Sequence, residues 1–170
     1  MHILKRDLFY TYIPSPLGDL LVGGDGDTLH LISFPTGAKT MRHADHWQRN
    51  DKMFKDVATQ LNAYFAGELK EFDLPLTLDG TEFQNQIWKN LATIPYGETA
   101  SYGDMAKKAG RPKASRAVGA ANGANPLPIV LPCHRVIGST GDLTGFGGGM
   151  EAKKFLLGLE GALEVQGQLV

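Results

Sequence analysis

Asn125-Pro126-Leu127-Pro128-Ile129-Val130-Leu131-Pro132-Cys133-His134-Arg135-Val136 holds the only cysteine of the chain, fused to a histidine and approached through three prolines. Proline lacks a backbone N–H, so this run reads as a loop and not as a periodic core segment. A free cysteine is most often a small buried hydrophobe. Here His134 is adjacent, Arg135 adds positive charge that favours a thiolate, and loops carry function more often than packing. Neighbours in an extended segment point to opposite sides, so a water could relay the proton between Cys133 and His134. A histidine used in this way needs a third group to hold its tautomer, and Glu160 is the best candidate.

Downstream of the cysteine lies a glycine-rich loop, Gly138 to Gly149, then a helix with Ala152, Phe155, Leu156 and Leu159 inward and Gly161 past its end. Upstream, Thr81-Glu82-Phe83-Gln84 has the pattern of a capping box. Phe83, Ile87 and Leu91 then line a helix that Pro95-Tyr96-Gly97 ends. Ser101 caps a short helix, Tyr102 to Ala109, closed by Gly110. Pro112 suits the first turn of a further helix running to about Asn122. Two short helices around a glycine-containing turn make a helix-turn-helix candidate. In the second helix Ala114, Ser115, Ala117 and Gly119 are small, and Arg116 is a single long cation among them. That composition suits docking on DNA or tight helix packing equally.

The first third reads as antiparallel sheet: Phe9–Ile13, a turn at Pro16–Asp19, Leu20–Val22, a turn at Gly23–Asp27, and Leu29–Phe34. Asp25-x-Asp27 is not a calcium loop, because its twelfth position is Thr36 where glutamate is required. His43 and His46 lack a third ligand in view and read as a surface pair. Residues 52–66 are helical by the spacing of Met53, Val57, Leu61 and Tyr64/Phe65. The stretch from Glu71 extends and then breaks at Gly80. The domains are therefore 1–79, a supporting α/β unit, and 80–170.

The bulk numbers bound the function. The chain has 170 residues, 42% hydrophobic and 21% charged, enough for a core, with no stretch approaching a membrane span. The N-terminus lacks a leader-like apolar run. One cysteine excludes an internal disulfide, which fits a cytoplasmic location. Net charge is −1, but residues 1–100 carry −4 and residues 101–155 carry +5, so nucleic acid is expected to meet the second half.

These pieces resemble the O6-alkylguanine-DNA alkyltransferase family across roughly residues 80–162. The matching elements are Ala-Ser-Tyr102, Arg-Ala-Val-Gly119, Asn125-Pro, Pro-Cys133-His-Arg-Val136, the Gly-Gly149 loop and Leu-Glu160-Gly. The resemblance implies an α+β fold: a ribonuclease-H-like antiparallel sheet with a helix, then a mostly helical, winged-helix-like domain with a helix-turn-helix. It implies a suicidal repair protein that docks in the minor groove of double-stranded DNA containing O6-alkylguanine. Cys133 would take the alkyl group irreversibly from the flipped base, and O4-alkylthymine would be a second substrate. Arg116 would fill the gap in the stack. Tyr102 would donate to N3, the Gly147 N–H to O6, and the carbonyls of Cys133 and Val136 would accept from the exocyclic amine. Asn125 would brace the cysteine loop, Pro128 would pack on the base, and His134 through water, with Glu160 behind it, would take the thiol proton. Ser115, Ala117, Gly119 and Arg135 would face DNA.

No cofactor and no metal are implied, and the N-terminal half lacks the cysteines some relatives use for zinc. Phe146 and Gly147 stand where many relatives have tyrosine and serine, which opens the pocket wall. The expected state is a monomer able to assemble cooperatively on DNA, with no membrane partner. Two other classes fit the same residues: a cysteine hydrolase using Cys133, His134 and Glu160 or Asn125, and a non-catalytic sensor of alkylated DNA. A sequence-specific regulator fits less well, since the recognition helix has few side chains able to read base edges.

Overall fold

A computed structural model describes residues 3–141, 143 and 145–162. Asp142 and Thr144 of the glycine-rich loop, and the last eight positions of the second domain, lie outside the described residues. The N-terminal sheet has the order β3-β2-β1-β4. Strand β1 (Phe9–Ile13) pairs antiparallel with β2 (Leu20–Gly24), which pairs antiparallel with β3 (Leu29–Ser33). A two-residue edge strand, β4 (Gln48–Arg49), runs parallel to β1 and carries no apolar alternation by which it could have been read.

Both β2 and β3 are buried along their whole length, because both faces of the sheet are covered. Leu20, Val22, Leu29 and Ile32 join the main core, which continues into the second domain. Leu21 and Leu31 face the other way, into a smaller cluster with Leu8 and Trp47. The two histidines of the presumed surface pair part company. His43 stacks on Tyr10 and bonds the Tyr12 hydroxyl, whereas the His46 ring bonds the Arg6 carbonyl.

Helix α1 (Lys55–Phe65) buries Val57, Leu61 and Tyr64. The chain then runs extended along β3, where the Leu29 N–H donates to the Pro75 carbonyl and the Thr77 N–H to that of Leu29. It enters α2 (Glu82–Leu91) through the capping box of Thr81 and Gln84. Helices α3 (Tyr102–Lys108) and α4 (Ser115–Gly123) form the helix pair, and Ser101 and Asp104 make a second capping box. The later helix starts at Ser115 and not at Pro112. The Ala114 N–H closes a turn on the Arg111 carbonyl, and this turn spends the residues expected to be helical. Trp88 ties α2 to α4 by donating to the Ala121 carbonyl at 2.7 Å.

Two short strands absent from the sequence reading fix the centre of the second domain. Strand β5 (Ala100–Ser101) pairs parallel with β6 (Val136–Ile137), which brings the start of α3 beside the cysteine loop. In the last helix, α5 (Met150–Leu159), Ala152 and Leu156 face inward as expected but Phe155 does not. Phe155 is 37% exposed, while Lys153, Leu156, Leu157 and Glu160 are buried. That inward row still follows the helical repeat, but its two ends are charged. Among the described residues no helix is long and apolar enough to cross a membrane.

Candidate active site

The loop from Asn125 to Cys133 is clamped by its own asparagine. Asn125 Nδ2 donates to the Leu131 carbonyl at 2.8 Å, and Asn125 Oδ1 accepts from the Leu127 N–H at 2.9 Å. Ile129, between them, has φ of 75°. A β-branched residue there is strained, and such strain persists only where surrounding contacts over-determine it. The Ile32 N–H supplies one, donating to the Pro126 carbonyl and so fastening the loop to β3. Cys133, His134 and Arg135 then form one turn of 3-10 helix, all three buried.

Cys133 lies in the wall of a cleft of about 950 Å³ between the two domains, with Asn122, Asn125, Pro128, Phe146 and Gly147. Phe34 and Lys39 of the N-terminal domain complete this wall. The glycine loop closes on that domain almost without clearance. A Cβ on Gly148 would lie 2.5 Å from the Phe34 ring, and one on Gly147 would lie 2.7 Å from the Lys39 side chain. The Lys39 N–H donates to the Gly147 carbonyl, and Phe146 meets Phe34 edge to face. The wall here is thus backbone.

Behind the cysteine is a network that sequence reading resolved only in part. His134 Nε2 bonds Glu160 Oε2 at 2.8 Å, both side chains sealed from solvent. An ionised carboxylate only accepts, so Nε2 carries the proton and Nδ1 is the basic atom. Nδ1 is buried with no hydrogen-bond partner among the described residues. Burial holds the His134 pKa below its ordinary value, against the opposing pull of Glu160. Burial also raises Glu160, but the bonds from His134 and Arg135 outweigh it and bring its pKa down to about 2.

Arg135 was expected at the DNA face and as a source of charge for the thiolate. It is instead 6% exposed. Its Nε and Nη2 both grip Glu160, at 2.8 and 3.0 Å, and Nη1 donates to the Ile94 carbonyl. A guanidinium can be buried only when its donors are satisfied, and these bonds consume it. Burial pushes the Cys133 thiol up to about 11, with Asn125 and Lys153 opposing. Burial thus favours the thiol over the thiolate at this sulfur.

Lys153 was missed altogether. It is fully buried, donates from Nζ to the Val136 carbonyl at 2.8 Å, and burial lowers its pKa to about 8. The signal for it was present in the spacing of residues 153, 156, 157 and 160. Tyr64, read as an ordinary core aromatic of α1, also belongs here, because its hydroxyl donates to Glu160 Oε2. Asn122 reaches the Cys133 carbonyl from α4.

On the outer side, Ser115, Arg116 and Ala117 are exposed in the first turn of α4. Gly119 turns inward, where a Cβ would rest 3.8 Å from the Tyr102 ring. Tyr102 is half-buried at the first position of α3, and Val136 is buried in β6. The structure therefore gathers Cys133, Asn125, Pro128, Phe146 and Gly147 at one cleft. It sets His134 and Glu160 behind them, and holds Arg116 on a separate exposed turn.

Comparison with known proteins gives a consistent likeness. A family model described as the 6-O-methylguanine DNA methyltransferase ribonuclease-like domain matches residues 8–78, and one described as the DNA binding domain of the same family matches residues 82–162. The methylated-DNA–protein-cysteine methyltransferase of Methanosarcina acetivorans is 50% identical over 155 residues, covering 91% of this chain and 99% of that protein. The protein of that name from Mycobacterium bovis is 51% identical over 154 residues, covering 90% and 92%. The crystal structure of Mycobacterium tuberculosis OGT in complex with DNA aligns with a TM-score of 0.85 at 51% identity, covering 91% of this chain and 93% of that one.

Proposed function

The chain belongs to the 6-O-methylguanine DNA methyltransferase family, and from that premise we propose that it repairs alkylated DNA by moving the alkyl group from O6 of guanine to its own Cys133. One observation carries the assignment to this sulfur: a cysteine in the cleft wall is followed by a sealed His134–Glu160 pair whose basic nitrogen has no hydrogen-bond partner among the described residues.

The step is a displacement at the alkyl carbon. The new bond is carbon to Cys133 Sγ, and the bond to O6 breaks with its electrons passing to the guanine ring. The thiol proton goes through a water to His134 Nδ1 as sulfur attacks, so the thiolate exists only during transfer. Glu160 then balances the imidazolium. The Tyr102 hydroxyl at N3 and the Gly147 N–H at O6 stabilise the charge that develops on the base, which finally recovers a proton. The Cys133 and Val136 carbonyls hold the exocyclic amine, Asn125 keeps the loop in place, and Pro128 and Phe146 line the base. The product is a thioether, which water does not cleave at neutral pH, so each molecule acts once.

Residues 80–170 form the DNA-binding and acceptor domain, and residues 1–79 support it. The protein approaches from the minor groove as a monomer able to assemble cooperatively on DNA. Ser115 and Ala117 allow close approach, Gly119 instead lets α4 pack on Tyr102, and Arg116 enters the stack as the base leaves. O4-alkylthymine is accepted at the same sulfur.

Titration with duplex carrying O6-methylguanine tests the reading. Intact-protein mass should rise by one methyl per chain and then stop, with the modified peptide containing Cys133. Repeated turnover would make the protein a hydrolase, and binding without transfer would make it a sensor. For Arg116→Ala, transfer from duplex should fall at least tenfold further than reaction with the free modified base, in line with a few kcal/mol of unstacking. Equal losses on both substrates would take Arg116 out of the flipping role.

A further inference from the structure

We propose that the N-terminal domain supplies a positioning residue, Tyr64, to the proton relay behind Cys133. The proposal rests on the transfer chemistry above but concerns a different domain. Tyr64 lies on α1, 96 positions before the residue it bonds, and is fully buried. Its ring packs among Phe65, Phe72 and Tyr96. A phenylalanine would fill that space. The hydroxyl instead donates at 2.5 Å to Glu160 Oε2, the same oxygen that receives His134 Nε2.

Arg135 Nη2 also reaches Oε2, so one oxygen takes three donors while Oε1 takes Arg135 Nε. The consequence follows from charge. Each donor spreads the carboxylate's negative charge and weakens its hold on the imidazolium. Tyr64 thus keeps the proton of the resting pair on His134 and keeps Nδ1 unprotonated at lower pH than Arg135 alone would. Tyr96 and Arg135 also face Glu160, and Lys153 and Cys133 act on the sulfur side. Tyr64→Phe leaves all of these in place.

The test is single-turnover transfer from O6-methylguanine duplex by the full chain, across about pH 5 to 9. With Tyr64→Phe, His134 should protonate more readily, moving the acidic limb of the rate profile up by about half to one pH unit while the plateau changes only a few-fold. Fluorinated tyrosine at position 64, a stronger donor of the same shape, should move the limb down, and it serves where the phenylalanine variant does not fold. Phe72→Leu loosens the same packing and should leave the limb in place. An unmoved limb in both Tyr64 proteins, or an equal shift in Phe72→Leu, overturns the proposal. Absence of transfer by the wild type would instead overturn the reaction itself.

Discussion

Cys133→Ser should take up no methyl group from O6-methylguanine duplex, and the lesion should persist in full. The chain has a single cysteine, so no second sulfur can substitute. A serine hydroxyl is a far weaker acid than a thiol, and a buried histidine that remains neutral cannot remove its proton during a displacement. The change is small in volume and lies in a loop held by Asn125 and Ile32, so folding and DNA retention should survive. Stability should change by about 1 kcal/mol or less. Intact-protein mass, a gel shift on the lesion duplex, and recovery of the modified base would be read together. Any methyl found on the serine protein would move the acceptor elsewhere.

Glu160→Ala should have the next largest effect, and on two properties at once. Removing the carboxylate leaves Arg135 charged and buried, takes the acceptor from Tyr64, and frees the His134 ring to change tautomer. Breaking one side of a buried pair costs about 3–5 kcal/mol, far more than a surface pair would. Urea unfolding should show that loss. Transfer by the remaining folded protein should fall by about 10²-fold or more, since both the orientation and the charge balance of His134 are gone.

Acid should reveal the same network in the wild type. The folded Glu160 pKa is about 2 against an ordinary 4.5, a depressed value. Its stabilisation is complete above 4.5 and is lost as pH falls toward 2, on the order of 3 kcal/mol in all. His134 is also depressed, from 6.5, so the unfolded chain binds that proton first and stability begins to decline below that pH. The wild type should therefore lose stability steadily on acidification, and Glu160→Ala should lack the lower part of that decline. Identical slopes below pH 4.5 in the two proteins would remove Glu160 from the titration.

The α5 helix shows where sequence reading worked and where it slipped. Its length and helical repeat were legible, and Ala152 and Leu156 are buried as expected, but Phe155 is exposed. Glu160 was legible as the residue behind His134, but Lys153 was missed, because charged residues are almost never buried without partners. Their partners, Val136 and Arg135, lie in the cysteine loop, and no local pattern links them to the helix. Arg135 was misplaced for the converse reason. A cation beside a reactive cysteine reads as free charge until its carboxylate is located. Strands β5 and β6 contain two residues each, too few for alternation to register.

The chain's order of residues was enough to determine the family of reaction, the placing of a lone cysteine beside a histidine in a loop, and the capped starts of α2 and α3. Each of those depends on groups within a few positions of one another. Tertiary structure alone decided which charges are sealed, which nitrogen of His134 is basic, and that a tyrosine from the other domain shares its carboxylate. An ionised group stays buried only when donors and acceptors converge on it, and here they arrive from 17 to 96 positions away.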